Sequence, residues 1–300
     1  MHRSLVIGLG SAGTRHRSKL REIGSTVSSL SRREEPKLYS SLLSNEFRSL
    51  DYDLIVVATE TSTHQAVVNG IYAANFAGTI LVEKPGLVQL PDLKRPEGSK
   101  TLVAYNLRYL DVLNRVKRLI DSAGNPLRVS ISATSYLPSW RVETTPRETY
   151  SEYAALGGGA LFDLSHELDY SQWLFGTWKE VKAIGGRVGA VTKDADDSWK
   201  IIGSTEKCQQ ISIDLSLVSH LRRRECLIEF SNFAANVDLL AGRIEFSDRP
   251  PVFGDNIDST YSKMLEDLVL RENTLLPTVS ENRNTLNFID QLRAKSVAKR

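Results

Sequence analysis

Short apolar runs alternate with helix-compatible segments through the first third of the chain. Leu5–Ile7 and Leu54–Ala58 are apolar at successive positions, and Thr79–Val82 is apolar after its first residue, which is typical of parallel strands buried on both faces. Helical patterns separate them at Thr14–Ile23 and at 63–74. This alternation predicts βαβ units and a doubly wound parallel sheet. Weaker signals predict strands at Ser25–Leu30 and Thr101–Tyr105, and a poor helix within Arg33–Leu50.

Beyond Asn106 the regular alternation of strand and helix patterns ends. An amphipathic helix is predicted over Asp111–Ser122, and closing helices over Tyr261–Leu270 and Glu281–Leu292. Strands without intervening helices favour an antiparallel sheet and are predicted at Arg128–Ser135, Val181–Arg187, Ser198–Ile202, Gln209–Leu217, Arg224–Phe230, Asn236–Leu240 and Arg243–Phe246. The pattern therefore predicts an α/β protein with two domains, residues 1–123 and 124–300.

Composition excludes several classes of protein. The hydrophobic fraction is 41% over 300 residues, which rules out wholesale disorder. A net charge of +2 is too small to indicate binding to nucleic acid. No run of residues approaches the roughly 20 apolar residues of a membrane span. Without a signal-peptide pattern, we expect a cytoplasmic protein. Cys208 and Cys226 are expected to be buried free thiols rather than a hairpin disulfide, and no cluster has metal-ligand spacing.

A glycine motif follows the first predicted strand. Gly8, Gly10 and Gly13 have the spacing of a dinucleotide-binding loop, and a helix pattern follows them directly. The first glycine permits a tight turn, the second lets the backbone approach a pyrophosphate, and the third allows close helix packing. The amides around Ser11 and Ala12 would then face the phosphates. We therefore predict a dinucleotide cofactor; the alternative is a glycine-rich turn without a ligand.

The end of the second strand indicates which dinucleotide is bound. An NAD site has an acidic residue about 20 positions beyond the loop. This chain instead has Ser31, Arg32 and Arg33, followed by Glu34 and Glu35. A serine hydroxyl and a guanidinium can bind a 2′-phosphate, so NADP is favoured over NAD. The alternative is a solvated basic turn balanced by the two glutamates.

Four ordered motifs resemble the Gfo/Idh/MocA oxidoreductase family. They are the glycine loop with Glu83-Lys84-Pro85, the segment from Asp53 to Thr59 with Ser62-Thr63-His64, Tyr105-Asn106-Leu107-Arg108, and Gly157 to His166. The resemblance covers nearly the whole chain. It implies a Rossmann domain followed by an α/β domain with an open, mostly antiparallel sheet, and hydride transfer between nicotinamide and a sugar or polyol carbon.

The resemblance also implies roles for individual residues. The catalytic lysine maps on Lys84, and the family's aspartate and histidine map on Asp163 and His166. A lysine beside a positively charged nicotinamide has a reason to exchange a proton near neutrality, and Glu83 could orient it. Which of Lys84 and His166 carries the proton stays open. The cofactor would be contacted by Ala58, Thr59, His64, Glu83, Lys84 and Asn106.

The chain departs from the family pattern at several positions. Asp163 and His166 are three residues apart rather than four, a spacing that still predicts one helix face. Glu60 stands where proline is usual and is expected to point to solvent. Ala104 replaces a common glycine. His16, in the first helix, is expected to be solvated, and His2 and His220 carry no functional signal.

A loop rich in aromatic and basic residues precedes the second motif. Trp140, Arg141 and Arg147, with Arg108 from the third motif, are predicted to bind the substrate. Stacking and guanidinium groups would suit an acidic or nucleotide-linked sugar. The alternative is an ordinary packed loop. The stretch resembles relatives linked to surface-polysaccharide sugar metabolism.

The sequence is compatible with three functions. The first is an NADP-dependent sugar oxidoreductase, assembled as a homo-oligomer (a dimer or tetramer by family habit), with no nucleic-acid or membrane partner. The second is a nonenzymatic dinucleotide sensor, against which Lys84, Asp163 and His166 argue because a sensor needs no proton relay. The third is a redox-neutral NAD-dependent glycosidase, which would release a sugar without net change in the cofactor.

Overall fold

A computed structural model describes residues 2–32, 34–43, 51–141, 149–271 and 274–295. Within them the strands are β1 (Arg3–Ile7), β2 (Thr26–Leu30), β3 (Leu54–Val57), β4 (Thr79–Val82), β5 (Lys100–Val103), β6 (Arg128–Tyr136), β7 (Trp178–Gly186), β8 (Ser198–Thr205), β9 (Gln210–Ser216), β10 (Val218–Glu229), β11 (Ala234–Asp238), β12 (Arg243–Phe246) and β13 (Val252–Phe253). The α-helices are α1 (Ser11–Glu22), α2 (Pro36–Leu43), α3 (His64–Ala73), α4 (Asp111–Ala123), α5 (Ala160–Asp163), α6 (Ser165–Phe175), α7 (Ser259–Glu266) and α8 (Val279–Ala294).

The chain divides into two compact units. Unit 1 comprises Met1–Asn106 and Tyr261–Arg283, and unit 2 comprises Leu107–Thr260 and Asn284–Arg300. The division differs from the predicted boundary at residue 123, because α4 packs its apolar face, Val112, Val116 and Ile120, into the core of unit 2. The return of residues 261–283 to unit 1 has no counterpart in the predicted domains.

Unit 1 is built on a five-stranded parallel sheet in the order β2-β1-β3-β4-β5. Every residue of β3 is buried, as expected for a strand covered on both faces. Leu5, Ile7, Ile55, Val57, Ile80 and Val82 form one core cluster with apolar residues of α3. The predicted doubly wound parallel sheet is confirmed.

Unit 2 contains an eight-stranded sheet in the order β13-β12-β11-β10-β6-β9-β8-β7. Its pairs are antiparallel except β6 with β9. In β6, Val129, Ile131 and Ala133 are buried while the residues between them are more exposed. That alternation marks a sheet with one face on a core, which here includes α4 and α6. The predicted open, mostly antiparallel sheet is also confirmed.

Both cysteines lie in unit 2 as buried free thiols, as predicted. Burial raises the pKa of Cys226, so its thiol stays protonated at neutral pH. Among the helices of the described residues, none has the length and apolar character needed to cross a membrane.

Candidate active site

The carboxyl edge of the parallel sheet gathers the sequence motifs of unit 1. The residue after each of four strands donates its backbone amide to the last residue of the neighbouring strand, at 2.8–2.9 Å. These pairs are Gly8 with Leu30, Ala58 with Ile7, Glu83 with Val57, and Ala104 with Val82. The ladder brings the glycine loop, Thr59, Lys84 and Asn106 to one edge, which is where open parallel sheets bind ligands.

Close packing explains the third glycine of the loop. A Cβ at Gly13 would lie 1.9 Å from the Gly8 carbonyl oxygen, so no larger residue fits. Gly10 is exposed and faces open space. It precedes α1, and among the described residues no side-chain hydrogen bond caps that helix. The first amides of α1, from Ser11 and Ala12 onward, are therefore left to an anionic ligand or to water.

The turn after β2 lies beside this loop, because the Gly8 amide bonds to Leu30 at the end of that strand. The Ser31 hydroxyl is buried and accepts a hydrogen bond from the Glu34 amide at 3.2 Å, which leaves its proton available for donation. Arg32 is exposed. Arg33, predicted with them, lies outside the described residues.

Glu83 is held by a histidine that the sequence analysis placed in solvent. That prediction was wrong: His16 is fully buried, and its Nε2 lies 2.7 Å from Oε1 of Glu83. Burial raises the pKa of Glu83, but the hydrogen bond and charge of His16 and the charge of Lys84 outweigh burial, so the pKa lies below its usual value. Glu83 is therefore an ionised carboxylate at neutral pH.

The other oxygen of Glu83 contacts the catalytic candidate. Oε2 accepts the backbone amide of Lys84 at 3.2 Å. The Lys84–Pro85 peptide bond is cis, and the Lys84 side chain is partly buried. Glu83 thus holds the backbone amide of Lys84, and its orienting role stays a prediction.

His64 lies beneath the same edge with a 1% exposed side chain. Its Nδ1 is 3.0 Å from the Gly86 carbonyl oxygen and its Nε2 is 3.1 Å from that of Thr59. Burial lowers the pKa of His64, although the two carbonyls and Glu83 oppose the shift. A neutral ring donates to one of these carbonyls, whereas the imidazolium donates to both. Both ring nitrogens therefore face protein atoms rather than open space.

The glycine run of the second motif sets the start of the helices that carry Asp163 and His166. Gly159 has φ +109°, and a Cβ there would lie 2.6 Å from Oδ1 of Asp196. Asp196 in turn accepts the Leu161 amide at 3.0 Å with its other carboxylate oxygen and the Ala160 amide at 2.8 Å with its backbone carbonyl. Glycine is needed where the chain approaches Asp196 so closely.

Asp163 and His166 lie in unit 2 on either side of a helix break. Asp163 ends α5, and His166 is the second residue of α6, with Leu164 between the helices in a non-helical conformation. The single helix implied by the predicted shared face is thus interrupted at Leu164. Both side chains are buried, at 6% and 8% exposure. The Tyr150 hydroxyl donates to Oδ1 of Asp163 at 3.3 Å.

The predicted substrate-binding residues fall into different surroundings within unit 2. Arg108 forms two hydrogen bonds to Asp169, from Nε at 2.9 Å and from Nη2 at 2.7 Å. Burial raises the pKa of Asp169, and Arg108 opposes that shift. Trp140 is 44% exposed on a short 3-10 helix, residues 137–141. Of Arg141 only the backbone is described, and Arg147 lies outside the described residues.

A family model matches most of the first segment of unit 2. Residues 113–232 match the GFO/IDH/MocA C-terminal domain. The predicted resemblance to the Gfo/Idh/MocA oxidoreductases is confirmed. A comparison with curated proteins finds no significant match.

Solved structures share the fold of this chain over nearly its whole length. UDP-N-acetylglucosamine 3-dehydrogenase GnnA from Acidithiobacillus ferrooxidans has 19% identity and a TM-score of 0.74, covering 99% of this chain and 98% of that one. The WlbA dehydrogenase from Bordetella pertussis, solved with NADH and UDP-GlcNAcA, has 14% identity and a TM-score of 0.74, covering 98% and 96%. An inositol dehydrogenase homolog from Azotobacter vinelandii, solved with NAD+, has 13% identity and a TM-score of 0.76, covering 98% and 95%. Although these identities are low, the TM-scores and coverages establish a shared fold.

Sequence reasoning missed two polar residues at this edge of the parallel sheet. His16 shares the buried stripe of α1 with Gly13 and Leu20, at spacings of three and four residues. Asn282 shares the buried stripe of α8 with Leu286, four residues on, and its Nδ2 donates to the Pro85 carbonyl oxygen at 2.8 Å. A polar side chain on an otherwise buried stripe is the signal that could have found both.

Proposed function

We propose that the chain is an NADP-dependent oxidoreductase that transfers hydride between nicotinamide and the carbinol or keto carbon of a sugar, nucleotide-linked or acidic. The observation that carries this proposal is the carboxyl edge of the parallel sheet, where the glycine loop follows β1 and Lys84 follows β4, with only β3 between these two strands. The neighbours support the class of reaction, since they include a UDP-sugar dehydrogenase and dehydrogenases solved with NAD(H).

The residues of unit 1 fit a dinucleotide. Gly10 leaves open space before α1, and the uncapped first amides of that helix suit a pyrophosphate. Ser31 and Arg32 would receive a 2′-phosphate, with Arg33 beside them in sequence. Ala58, Thr59, His64, Glu83 and Asn106 belong to the same edge or lie directly beneath it. When bound, the nicotinamide supplies or accepts the hydride.

The chain's own residues supply the proton chemistry in this proposal. Lys84 takes the hydroxyl proton as a carbinol is oxidised and returns it on reduction, while Glu83 holds its backbone. Asp163 and His166 bind the reacting sugar hydroxyls, with Tyr150 orienting the Asp163 carboxylate. Trp140, Arg141 and Arg147 bind the remainder of the substrate. Arg108 contributes to this scheme by forming an ion pair with Asp169.

The deciding experiment measures absorbance at the nicotinamide band with wild-type protein and Lys84→Met. Substrates are UDP-sugars, uronic acids and unlinked sugars, each with NADP(H) and NAD(H). We expect turnover by the wild type and a loss of about 10³-fold or more in Lys84→Met, with cofactor affinity retained. Equal turnover by both proteins would refute the proton role of Lys84. Cofactor binding without turnover on any substrate would favour the dinucleotide sensor, and sugar release without cofactor change the glycosidase.

A second variant tests the choice of NADP. Arg32→Ala should weaken NADPH binding by about 10-fold or more, because one charge-assisted phosphate contact is lost, and should leave NADH binding within about twofold. Isothermal titration of both cofactors into wild type and variant measures this. Equal loss for both would contradict the 2′-phosphate assignment.

The proposal includes a homo-oligomer located in the cytoplasm. Sedimentation velocity of the purified protein over a range of concentrations tests the assembly, and a single monomeric species throughout would contradict it.

A further inference from the structure

Residues Glu83–Gly86, named here the lysine turn, are contacted by three buried polar side chains from separate helices of unit 1. These are His16 from α1, His64 from α3 and Asn282 from α8. Their exposures are 0%, 1% and 1%. Such side chains are costly to bury unless each has a hydrogen-bond partner. All three find that partner in one four-residue segment.

The contact from His16 reaches Lys84 in two steps. Nε2 of His16 bonds to Oε1 of Glu83 at 2.7 Å, and Oε2 of Glu83 accepts the Lys84 amide at 3.2 Å. Each oxygen of the carboxylate thus has its own donor, and the side chain is fixed between them. Tyr261 packs edge-on against the His16 ring, with centroids 5.3 Å apart, which restricts the ring in turn. The position of Lys84 is therefore linked to α1, the helix that follows the glycine loop.

The other two contacts hold the backbone after Lys84. Nδ2 of Asn282 donates to the Pro85 carbonyl at 2.8 Å, and the His64 ring meets the Gly86 carbonyl at 3.0 Å. Gly86 has φ +92°, and a Cβ there would lie 2.5 Å from Nδ2 of Asn282. Because the Pro85 carbonyl oxygen needs a donor, its hydrogen bond fixes which way the Asn282 amide points. The backbone is thus held on both sides of the Lys84 side chain.

We propose that His16, His64 and Asn282 are positioning residues for Lys84, an inference that rests on the proton role given to Lys84 in the proposed function. Each of the three forms a hydrogen bond with the lysine turn itself. Their effect is to keep the lysine backbone in one place while its longer side chain moves during proton transfer. A loosened turn would displace the amine from the reacting hydroxyl, and a shift of about 1 Å can cost 100-fold in rate.

The test compares three variants with a matched control. Asn282→Ala removes the donor to Pro85, His16→Leu removes the donor to Glu83, and His16→Gln keeps an amide that can replace it. Tyr72→Phe serves as the control, since it deletes a buried 2.8 Å hydrogen bond to Thr101 in the same unit without contacting the turn. Steady-state kinetics and melting temperatures are measured for each.

We expect kcat to fall by about 10- to 100-fold in Asn282→Ala and His16→Leu, with KM for NADPH within about threefold. His16→Gln should recover most of the loss, and Tyr72→Phe should keep wild-type kcat. If Asn282→Ala and His16→Leu lose melting temperature as Tyr72→Phe does and keep their kcat, the proposal is overturned.

A second measurement does not depend on turnover. Competitive acetylation with acetic anhydride, read by mass spectrometry, gives the reactivity of Lys84 relative to the exposed Lys37 of α2. We expect the ratio to change in Asn282→Ala and in His16→Leu and to stay constant in Tyr72→Phe. An unchanged ratio in the first two variants refutes the positioning role. If Lys84→Met turns over like the wild type while these ratios change, the proton role of Lys84 fails and the positioning of its side chain stands.

Discussion

The lysine turn of unit 1 and helix α6 of unit 2 are held by different forces. The lysine turn receives hydrogen bonds on its backbone, with one charged contact at Glu83. Helix α6 carries two buried carboxylates on either side of Leu168, and each forms a two-point pair with an arginine: Glu167 with Arg224 and Asp169 with Arg108. The first arrangement uses backbone acceptors at Pro85 and Gly86 together with one carboxylate, and the second uses charges on both partners.

This difference determines how each segment fails. Removing one neutral hydrogen-bond partner leaves a buried group whose cost is about 1–3 kcal/mol. Removing one member of a buried ion pair leaves an uncompensated charge, which costs about 3–5 kcal/mol. We therefore expect substitutions in the ion pairs of α6 to lower chiefly the free energy of unfolding. Substitutions at the lysine turn should lower kcat before they lower stability appreciably.

The largest effect should come from breaking a pair on α6. Glu167→Ala leaves the partly buried Arg224 without its carboxylate and should lower the free energy of unfolding by about 3–5 kcal/mol. Urea unfolding followed by circular dichroism measures it. Asp214→Ala is the matched control, because it breaks the exposed pair with Lys200 and should cost less than about 1 kcal/mol. Similar losses in the two variants would refute the contrast between buried and exposed charges.

A smaller effect should follow from the glycine that precedes α5. Gly159→Ala places a Cβ 2.6 Å from Asp196 at φ +109°, and we expect a loss of about 1–3 kcal/mol. Gly10→Ala is the control for stability alone, since Gly10 has φ −71° and open space around it. It should unfold within about 0.5 kcal/mol of the wild type. A Gly159 variant as stable as that control would show that the segment adjusts without strain.

The smallest effect is a pH dependence of folding stability that comes from His64, which contacts the lysine turn. Burial lowers the pKa of His64 in the folded protein, whereas the unfolded chain has the usual value near 6.5. Below that pH the unfolded state binds a proton that the folded state does not, so stability is present above pH 6.5 and is lost as pH falls. At pH 5.5 the loss from one such group is at most about 1.4 kcal/mol.

His64→Gln removes this group, so its stability should fall less than that of the wild type between pH 7.5 and pH 5.5. Urea titrations of both proteins at the two pH values measure the difference. An identical loss in both would mean that His64 accepts a proton in the folded state and donates to both the Gly86 and Thr59 carbonyls.

Local patterns were enough to predict most strands. β4 has the predicted bounds, Thr79–Val82, because a run buried on both faces leaves no ambiguity about its ends. The division between the units was not readable in this way. Whether Asp111–Ala123 packs on the first or second core depends on long-range contacts that the helix pattern does not encode. The same holds for the return of residues 261–283.

The site was predictable where a short motif carries the chemistry and obscure where distant residues meet. Glu83 and Lys84 were proposed from their tripeptide, and the structure places a Glu83 oxygen on the Lys84 amide. His16 was assigned to solvent because a histidine in a helix is usually exposed, yet its place on the stripe with Leu20 makes it buried. Asn282 lies almost 200 positions from Pro85, a separation that no local pattern spans.

The discontinuity of unit 1 has a consequence for how this protein can be made and rearranged. Asn282 bonds to Pro85, and Thr278 forms a β-bridge with Leu102 on the edge strand. A ribosome must therefore synthesise the chain as far as Asn282 before the first unit acquires its last structural contacts. For the same reason, a gene fragment encoding only the first 106 residues could not transplant this unit intact into another protein. Recombination would have to carry the coding regions of both segments together.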